Sequence, residues 1–365
     1  MLENAEWGEF RIGELFEKIK TIKLPFKADE LPRQKTGEYT LPCLTSSFNN
    51  QGLNYFVPRK EATILRNVIS IPSNSDVYRA YFQPNEFTVL SDAYAIKWKL
   101  NDIDLSPNQY LFAVQCINKV TDLRIYSYKN KLGGWNVVKN KYIKLPVKAG
   151  KIDFDFMEKF IKELETERIL KLEAYLTAAE LKSFELTIAE QKALEIFNND
   201  TLSWGQFKFK DIFDKIEQGR RLKKEDQIPG KIPFVMSGIT NTGVINSISN
   251  PVAYFPKNSI TVDIFGNTFY RGYNFGAGDD TGVYWSEIHN YPKEVMLYFA
   301  ASMNKSLQGK FDYGNKLRSS QSLNLNMQLP VKENQPDLSS MTTLIRAVQK
   351  LVIKDVVQYV ERKTH

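Results

Sequence analysis

Two short segments, Tyr78-Arg79-Ala80-Tyr81 and Tyr270-Arg271-Gly272-Tyr273, each set a guanidinium between aromatic rings. Arginine presents a planar fork of donors that matches a guanine edge or a phosphate, and tyrosine packs on sugar or base. The competing reading places the tyrosines in a core and the arginine in a surface ion pair. Asn49, Asn50 and Gln51, and likewise Ser237, Asn241 and Thr242, carry the amides and hydroxyls that read base edges, but such residues are also ordinary turn formers. Ser73 and Asn74, and Asn267 in the second half, follow apolar β-branched runs and join these candidates. Arg220-Arg221-Leu222-Lys223-Lys224 is the densest basic cluster, suited either to solvent or to phosphate contact that positions without reading sequence. Lys131 in the first half, and Lys316 with Arg318 in the second, add cations at matching places.

Catalytic patterns are missing. Gly276-Ala277-Gly278 lacks the third glycine and the following helix of a nucleotide-binding loop, and no Gly-x-Ser-x-Gly elbow occurs. No Pro-Pro exists, as the catalytic motif of an adenine methyltransferase would need. Cys43 and Cys116, with His289 and His365, cannot supply a zinc site at motif spacing, and both cysteines read as reduced, buried thiols. Asp279-Asp280 is the one acidic pair suited to a divalent ion, read here as turn carboxylates. The chain is therefore expected to have no catalytic activity.

The 365 residues exceed one ordinary core, and 42% hydrophobic with 25% charged residues is a globular balance. No apolar run of about 18 residues exists, and the first residues lack a basic region followed by an apolar one, so a cytoplasmic protein without membrane contact is expected. The net charge is +7, yet Lys151–Phe197 carries 7 basic and 11 acidic residues, so the flanking parts hold the basic surface. That favours an anionic partner.

An internal repeat decides the architecture. Trp7 to Ile19 matches Trp204 to Ile216 at six of thirteen positions. Leu41-Pro42 through Gly52 answers Ile232-Pro233 through Gly243, and Tyr78-Arg79-Ala80-Tyr81 answers Tyr270-Arg271-Gly272-Tyr273. Tyr126 to Leu132 answers Phe311 to Leu317, and Lys144-Leu145-Pro146-Val147 answers Gln328-Leu329-Pro330-Val331. The offsets run 197, 191, 192, 185 and 184, an ordered drift that two diverged copies produce.

After each Leu-Pro-Val the apolar period turns helical. Asp153 to Phe197 carries Met157, Ile161, Leu164, Leu172, Tyr175 and Leu176 at helical spacing, and would reach roughly 65 Å unbroken, with a phase shift near Thr177 to Ser183. Asp337 is placed to cap a second helix whose stripe includes Met341, Ile345, Val348 and Val352. The expected fold is mixed α/β: globular repeats of short strands at 1–150 and 198–335, separated by a pair of long antiparallel coiled-coil-like helices at 151–197 and 336–365 with pseudo-twofold symmetry.

These motifs resemble the DNA-specificity subunits of type I restriction-modification systems and their type IIB-like relatives, over essentially the whole chain. The resemblance rests on Trp204-Gly205-Gln206-Phe207, on Ile232-Pro233-Phe234-Val235 with Thr240-Asn241-Thr242-Gly243, on Ile260-Thr261-Val262 to Tyr270-Arg271-Gly272, and on Leu329-Pro330-Val331 leading into a helix. It implies two target-recognition domains, each reading half of a split asymmetric site in double-stranded DNA. It also implies a helical spacer that docks methyltransferase or fused restriction-modification subunits, with or without a restriction subunit. S-adenosylmethionine and Mg would then sit only on those partners, with no cofactor in this chain. Lys148-Ala149-Gly150-Lys151 stands where type I members commonly carry Glu-Gln, and Asp153-Phe154-Asp155-Phe156 looks more like the type IIB-like branch. The alternatives are a protein-interaction scaffold built of two repeats on a helical strut, and a standalone nuclease using Asp279 and Asp280.

Overall fold

The computed structural model describes residues 2–47, 49–60, 62–73, 78–100, 103–127 and 129–364; Asn74, Tyr128 and His365 lie outside the described residues. The chain divides into two units, residues 1–171 and 172–365.

The first unit opens with Trp7-Gly8-Glu9-Phe10 in strand β1 (Glu6–Arg11), followed by α1 (Ile12–Leu15) and β2 (Phe16–Lys18). Six short strands come next: β3 (Tyr39–Leu44), β4 (Leu53–Pro58), β5 (Val68–Pro72), β6 (Tyr81–Gln83), β7 (Thr88–Val89) and β8 (Ala93–Trp98). Helices α2 (Pro107–Thr121) and α3 (Trp135–Val138) then lead to β9 (Tyr142–Lys148) and β10 (Lys151–Ile152). They form three sheets in the orders β1-β9-β10, β2-β8-β5-β6 and β4-β3-β7. Trp7 pairs with Pro146 and Gly8 with Leu145, so the Trp-Gly and Leu-Pro-Val signatures are two strands of one ladder. Glycine is required there, because a Cβ on Gly8 would approach Val147 Cγ1 to 2.8 Å. Helix α2 starts at Ser106, whose hydroxyl accepts the Gln109 N–H, with Pro107 in the first turn. It buries Phe112, Ala113 and Ile117 against Ile69, Ile96 and Leu145. Strand β5 has no solvent face, which is why Val68 to Pro72 is apolar at every position except the buried Ser70 and does not alternate.

Helix α4 (Phe154–Ala178) runs out of the first unit into the second, which continues with α5 (Ile188–Asn198), β11 (Trp204–Lys208), α6 (Phe209–Ile212) and β12 (Lys215–Gln218). Then come β13 (Pro229–Val235), β14 (Val244–Ile248), β15 (Tyr254–Phe255), β16 (Ser259–Asp263), β17 (Thr268–Arg271), β18 (Phe275–Ala277) and β19 (Thr281–Trp285). The unit closes with α7 (Lys293–Leu307), α8 (Ser319–Ser322), β20 (Asn326–Lys332), β21 (Gln335–Pro336) and α9 (Leu338–Thr364). Its sheets, β11-β20-β21, β12-β19-β16-β17 and β14-β13-β18-β15, repeat those of the first unit with β15 added. Even the parallel pair recurs, β3 beside β7 and β13 beside β18.

The single helix expected over 151–197 is corrected to two. Glu180 takes φ +56, and the Leu181 N–H closes on the Leu176 carbonyl at 2.8 Å, a left-handed helix end. The chain re-enters a helix where Thr187 and Glu190 form a reciprocal capping box. Asp337 caps α9 as expected, accepting the Ser340 N–H at 3.0 Å. Helix α9 packs on α5 and on α7. Its buried side is Met341, Leu344, Ala347, Val357 and Val360, not the whole heptad-like stripe.

Lys350 Nζ ties α9 to α5, donating to Glu190 Oε2 at 2.8 Å and to the Glu185 carbonyl at 2.9 Å. Glu190 is only 6% exposed. Burial acts to raise its pKa, but the bonds from Lys350 and Thr187 outweigh it, and the carboxyl titrates below its ordinary 4.5. A lowered folded value contributes stability that is complete above that ordinary value and fades as pH falls through the folded one. Lys350→Met strands the buried carboxylate and is expected to cost about 1–3 kcal/mol near neutral pH, with a smaller acid-induced loss than wild type. Urea unfolding at about pH 7 and about pH 3.5 checks both signs.

Candidate nucleic-acid interface

Both units expose one kind of turn. Asn50 and Gln51 have φ/ψ of 47/40 and 55/25, and Asn241 and Thr242 have 47/37 and 53/29. Gly52 and Gly243 then follow at φ +88 and +84. Asn and Gly tolerate this left-handed region; Thr, being β-branched, does not, and Thr242 there costs of order 1–3 kcal/mol. The amide of Asn50 donates to the Leu53 carbonyl, and that of Asn241 to the Val244 carbonyl at 3.1 Å. The turns are anchored to β3 and β13 by Thr45 N–H to Gly52 O at 3.0 Å and Met236 N–H to Gly243 O at 2.9 Å. Asn49, Asn50 and Gln51, and Asn241 and Thr242, are exposed. Ile239, which the sequence did not single out, stands 72% exposed beside the second turn.

In the second unit, candidates scattered over a hundred residues meet around this turn. Ser237 donates its N–H to Asp280 Oδ2 at 3.0 Å and its hydroxyl to Asp263 Oδ2 at 3.1 Å. Asn267 gives its amide to the same Asp263 oxygen at 2.9 Å. Arg318 donates to the Asp279 carbonyl at 2.6 Å, and Gln218 Nε2 reaches that carbonyl at 3.0 Å. The Arg220 N–H bonds Ala277 O, and Leu317 N–H bonds Ile264 O. Thus Arg220, the 237–242 turn, Asn267 and Lys316 with Arg318 share one end of the unit. Lys316 Nζ lies 4.2 Å from the Tyr313 ring centroid. Arg220, Arg221, Lys223 and Lys224 are exposed and pair with no acid among the described residues. An unneutralised cluster that begins at Arg220, on the turn's end of the unit, is what a phosphate backbone needs.

Several expected contacts are corrected. Arg271 is 1% exposed and donates inward to Thr261, Thr242 and Tyr273, so it cannot grip a base edge. Tyr78 is 1% exposed and packs edge-on to Tyr126, an interior role. Arg79 is surface-exposed but engaged at 2.6 Å by Asp122. Asn267 and Ser237 hold Asp263, and Tyr270 is half-buried with its hydroxyl donated to Asn258 at 3.1 Å. Tyr273 stays 39% exposed. Tyr81 and Ser73 are half-buried, the latter giving its N–H to Asp92 O at 2.8 Å, and Lys131 is exposed.

The ladders also revise the repeat alignment. Val68 pairs with Gln83, and Ser259 with Arg271, while Ser70 faces Tyr81 and Thr261 faces Phe269. Gln83, not Arg79, therefore holds the place of Arg271, and the Tyr-Arg-x-Tyr match was coincidental. Identity of letters misled there because strand register is set by which side chains turn inward.

On the helices, Met341 and Leu176 are buried, which corrects them as docking positions. Ile161 and Ile345 pack on their own unit's core, Leu172 is half-buried, and Leu164, Val348 and Val352 are exposed at 39%, 41% and 74%. Cys43 and Cys116 are buried free thiols, pushed up to about 12 and about 11 by burial. No three His, Cys, Asp or Glu side chains cluster to hold a metal among the described residues; Asp280 is instead occupied with Ser237 and Thr281.

Two copies of one α/β unit, each displaying a stiff polar turn, define a duplicated nucleic-acid-reading module. Residues 4–174 and 202–358 each match the type I restriction modification DNA specificity domain, and the chain belongs to that family. Over 359 residues, 95% of this chain and 96% of its relative, it is 24% identical to the type II restriction enzyme specificity subunit S.BcgI of Heyndrickxia coagulans. The solved S subunit of the type I restriction-modification system from M. genitalium is 12% identical; the match covers 99% of this chain and 92% of that one at a TM-score of 0.61, a likeness of fold. The chain is accordingly a DNA-recognition component of a restriction-modification system and not its catalytic subunit, with DNA and methyltransferase or restriction subunits as partners. The scaffold and nuclease alternatives fall with that assignment. Among the described residues no helix is long and apolar enough to cross a membrane.

Proposed function

We propose that the two units read the two halves of one split, asymmetric site in double-stranded DNA on behalf of a cytoplasmic methyltransferase, with or without a nuclease. The observation that carries this is the left-handed turn built twice, at Asn50–Gln51 and Asn241–Thr242, with matching dihedral angles and exposed amides. Arg220, Arg221, Lys223, Lys224 and Arg318 hold phosphates, and the turns face the grooves. Helices α4 and α9 dock the methyltransferase through exposed faces that include Leu164, Val348 and Val352; S-adenosylmethionine and Mg belong to those partners. The relative named as a type II specificity subunit, and the Asp153-Phe154-Asp155-Phe156 stretch, support a fused restriction-modification partner over separate type I subunits.

Long-read methylation mapping of cells with and without this chain tests the reading, alongside mobility shifts on duplex DNA across salt concentrations. A bipartite methylated motif that vanishes with the chain is expected, with affinity falling steeply as salt rises. Sequence-specific methylation that persists without the chain defeats it, as does equal binding to an acidic polypeptide.

A further inference from the structure

We propose that Arg271 and Gln83 are positioning residues for DNA reading: from inside its unit, each holds the exposed left-handed turn in the conformation that meets the bases. This rests on the reading above that the turns face DNA.

The two side chains occupy one site built twice. Each lies on the strand paired with the central apolar strand, Gln83 opposite Val68 and Arg271 opposite Ser259. Both are closed off from solvent, at 3% and 1% exposure. Each reaches the hydroxyl at the same position of the neighbouring strand: Gln83 Nε2 lies 3.1 Å from Ser70 Oγ, and Arg271 Nε 3.0 Å from Thr261 Oγ1. Each also donates to the carbonyl of the second left-handed residue, Gln83 Nε2 to Gln51 O at 3.5 Å and Arg271 Nη2 to Thr242 O at 2.5 Å. Arg271 adds a bond from Nη1 to the Thr242 hydroxyl at 3.0 Å.

Thr242 is the residue least suited to its backbone angle, so its conformation persists only because its surroundings over-determine it. Two of the four Arg271 bonds, to the Thr242 hydroxyl and carbonyl, are those surroundings. Among the described residues its acceptors are hydroxyls and a carbonyl, with no carboxylate to balance the charge. A buried, unpaired guanidinium is a poor choice for stability alone. A neutral amide does the equivalent work in the first unit, so what the two units share is hydrogen-bond geometry and not charge.

The test uses the full chain in complex with its methyltransferase, read by methylation mapping, by mobility shift at several salt concentrations and by thermal unfolding. Arg271→Ala is expected to lose about tenfold in base discrimination, confined to one half-site, with the salt slope unchanged. Gln83→Ala is expected to do the same to the other half-site. Arg271→Gln combined with Thr261→Ser, which transplants the first unit's buried amide and hydroxyl and leaves the turn's own side chains in place, is expected to restore discrimination to within about threefold. A folded Arg271→Ala protein with the wild-type profile overturns the proposal. So does a salt slope lowered by about one, which marks a phosphate contact, or a folded double variant that stays relaxed. Should Arg271→Ala fail to fold, Gln83→Ala decides: an unchanged profile overturns the proposal and a relaxed half-site supports it. A wild-type complex without any sequence preference would instead sink the reading of the turns themselves.

Discussion

Replacing Arg220, Arg221, Lys223 and Lys224 together by alanine is expected to flatten the salt dependence of DNA binding and to weaken all sequences alike. Each phosphate neutralised contributes about 0.9 to the slope of log affinity against log salt, so losing four contacts removes about 3.6. At low salt that amounts to a loss of roughly a hundredfold or more, while the order of preference among sequences stays as it was. The physical ground is that these four side chains are exposed and carry no ion pair with the described acids, unlike Arg79, which Asp122 already neutralises. Arg79→Ala should therefore lower the slope little. Mobility shifts across a salt series read both variants. A slope that stays at the wild-type value would place the cluster in solvent.

The largest loss of stability is expected from Phe299→Ala. Phe299 is 0% exposed on α7, meets the Phe213 ring edge-on at 5.8 Å and the Tyr291 ring at 5.1 Å, and shares its core with Ile260, Val262 and Leu329. Truncation removes the transfer free energy of the ring and leaves a cavity between rigid neighbours, about 3–5 kcal/mol together. For a unit of this size that corresponds to a fall in Tm of roughly 10 °C or more. Calorimetry should show one transition moving and the transition of residues 1–171 staying in place. A shift under about 2 °C would mean that the site collapses onto the space, which its edge-on aromatic packing argues against.

Much of the fold was legible in the order of residues. Trp7-Gly8 and Trp204-Gly205 stood out as a repeat because each glycine must pass under a valine of the Leu-Pro-Val strand, at 2.8 Å from Val147 and 2.6 Å from Val331 for a hypothetical Cβ. Such steric demands are met by few residue types, so they survive as identical letters. The phase shift near Thr177 to Ser183 likewise marked where α4 ends, although one helix was expected to continue through it. The docking stripe was less legible, since helical spacing shows that Met341 and Val352 are apolar without showing that one is buried and the other 74% exposed.

The interface was legible only in part. Asn49, Gln51 and Asn241 stand out in the sequence as amides in paired loops, and the structure places them on exposed turns. Asp263 carries no such signal, since nothing local shows that one carboxylate collects the Gly238 N–H, the Ser237 hydroxyl and the Asn267 amide. The same limit hid Gln83. An amide and a guanidinium share no letter, yet at one strand position both can donate to a hydroxyl and a carbonyl at once.

From the sequence alone came the duplication, the mixed α/β class, the absence of catalytic motifs and the basic flanks, because each depends on composition, spacing or steric demands that local residue types record. Only the tertiary structure decided that Arg271 and Tyr78 point inward, that Gln83 is the true counterpart of Arg271, and that the cations of residues 220–224 make no ion pair among the described residues. Those outcomes depend on strand register and on which distant atoms arrive within hydrogen-bond reach, and a four-residue strand carries too few side chains to announce which of its faces is inside.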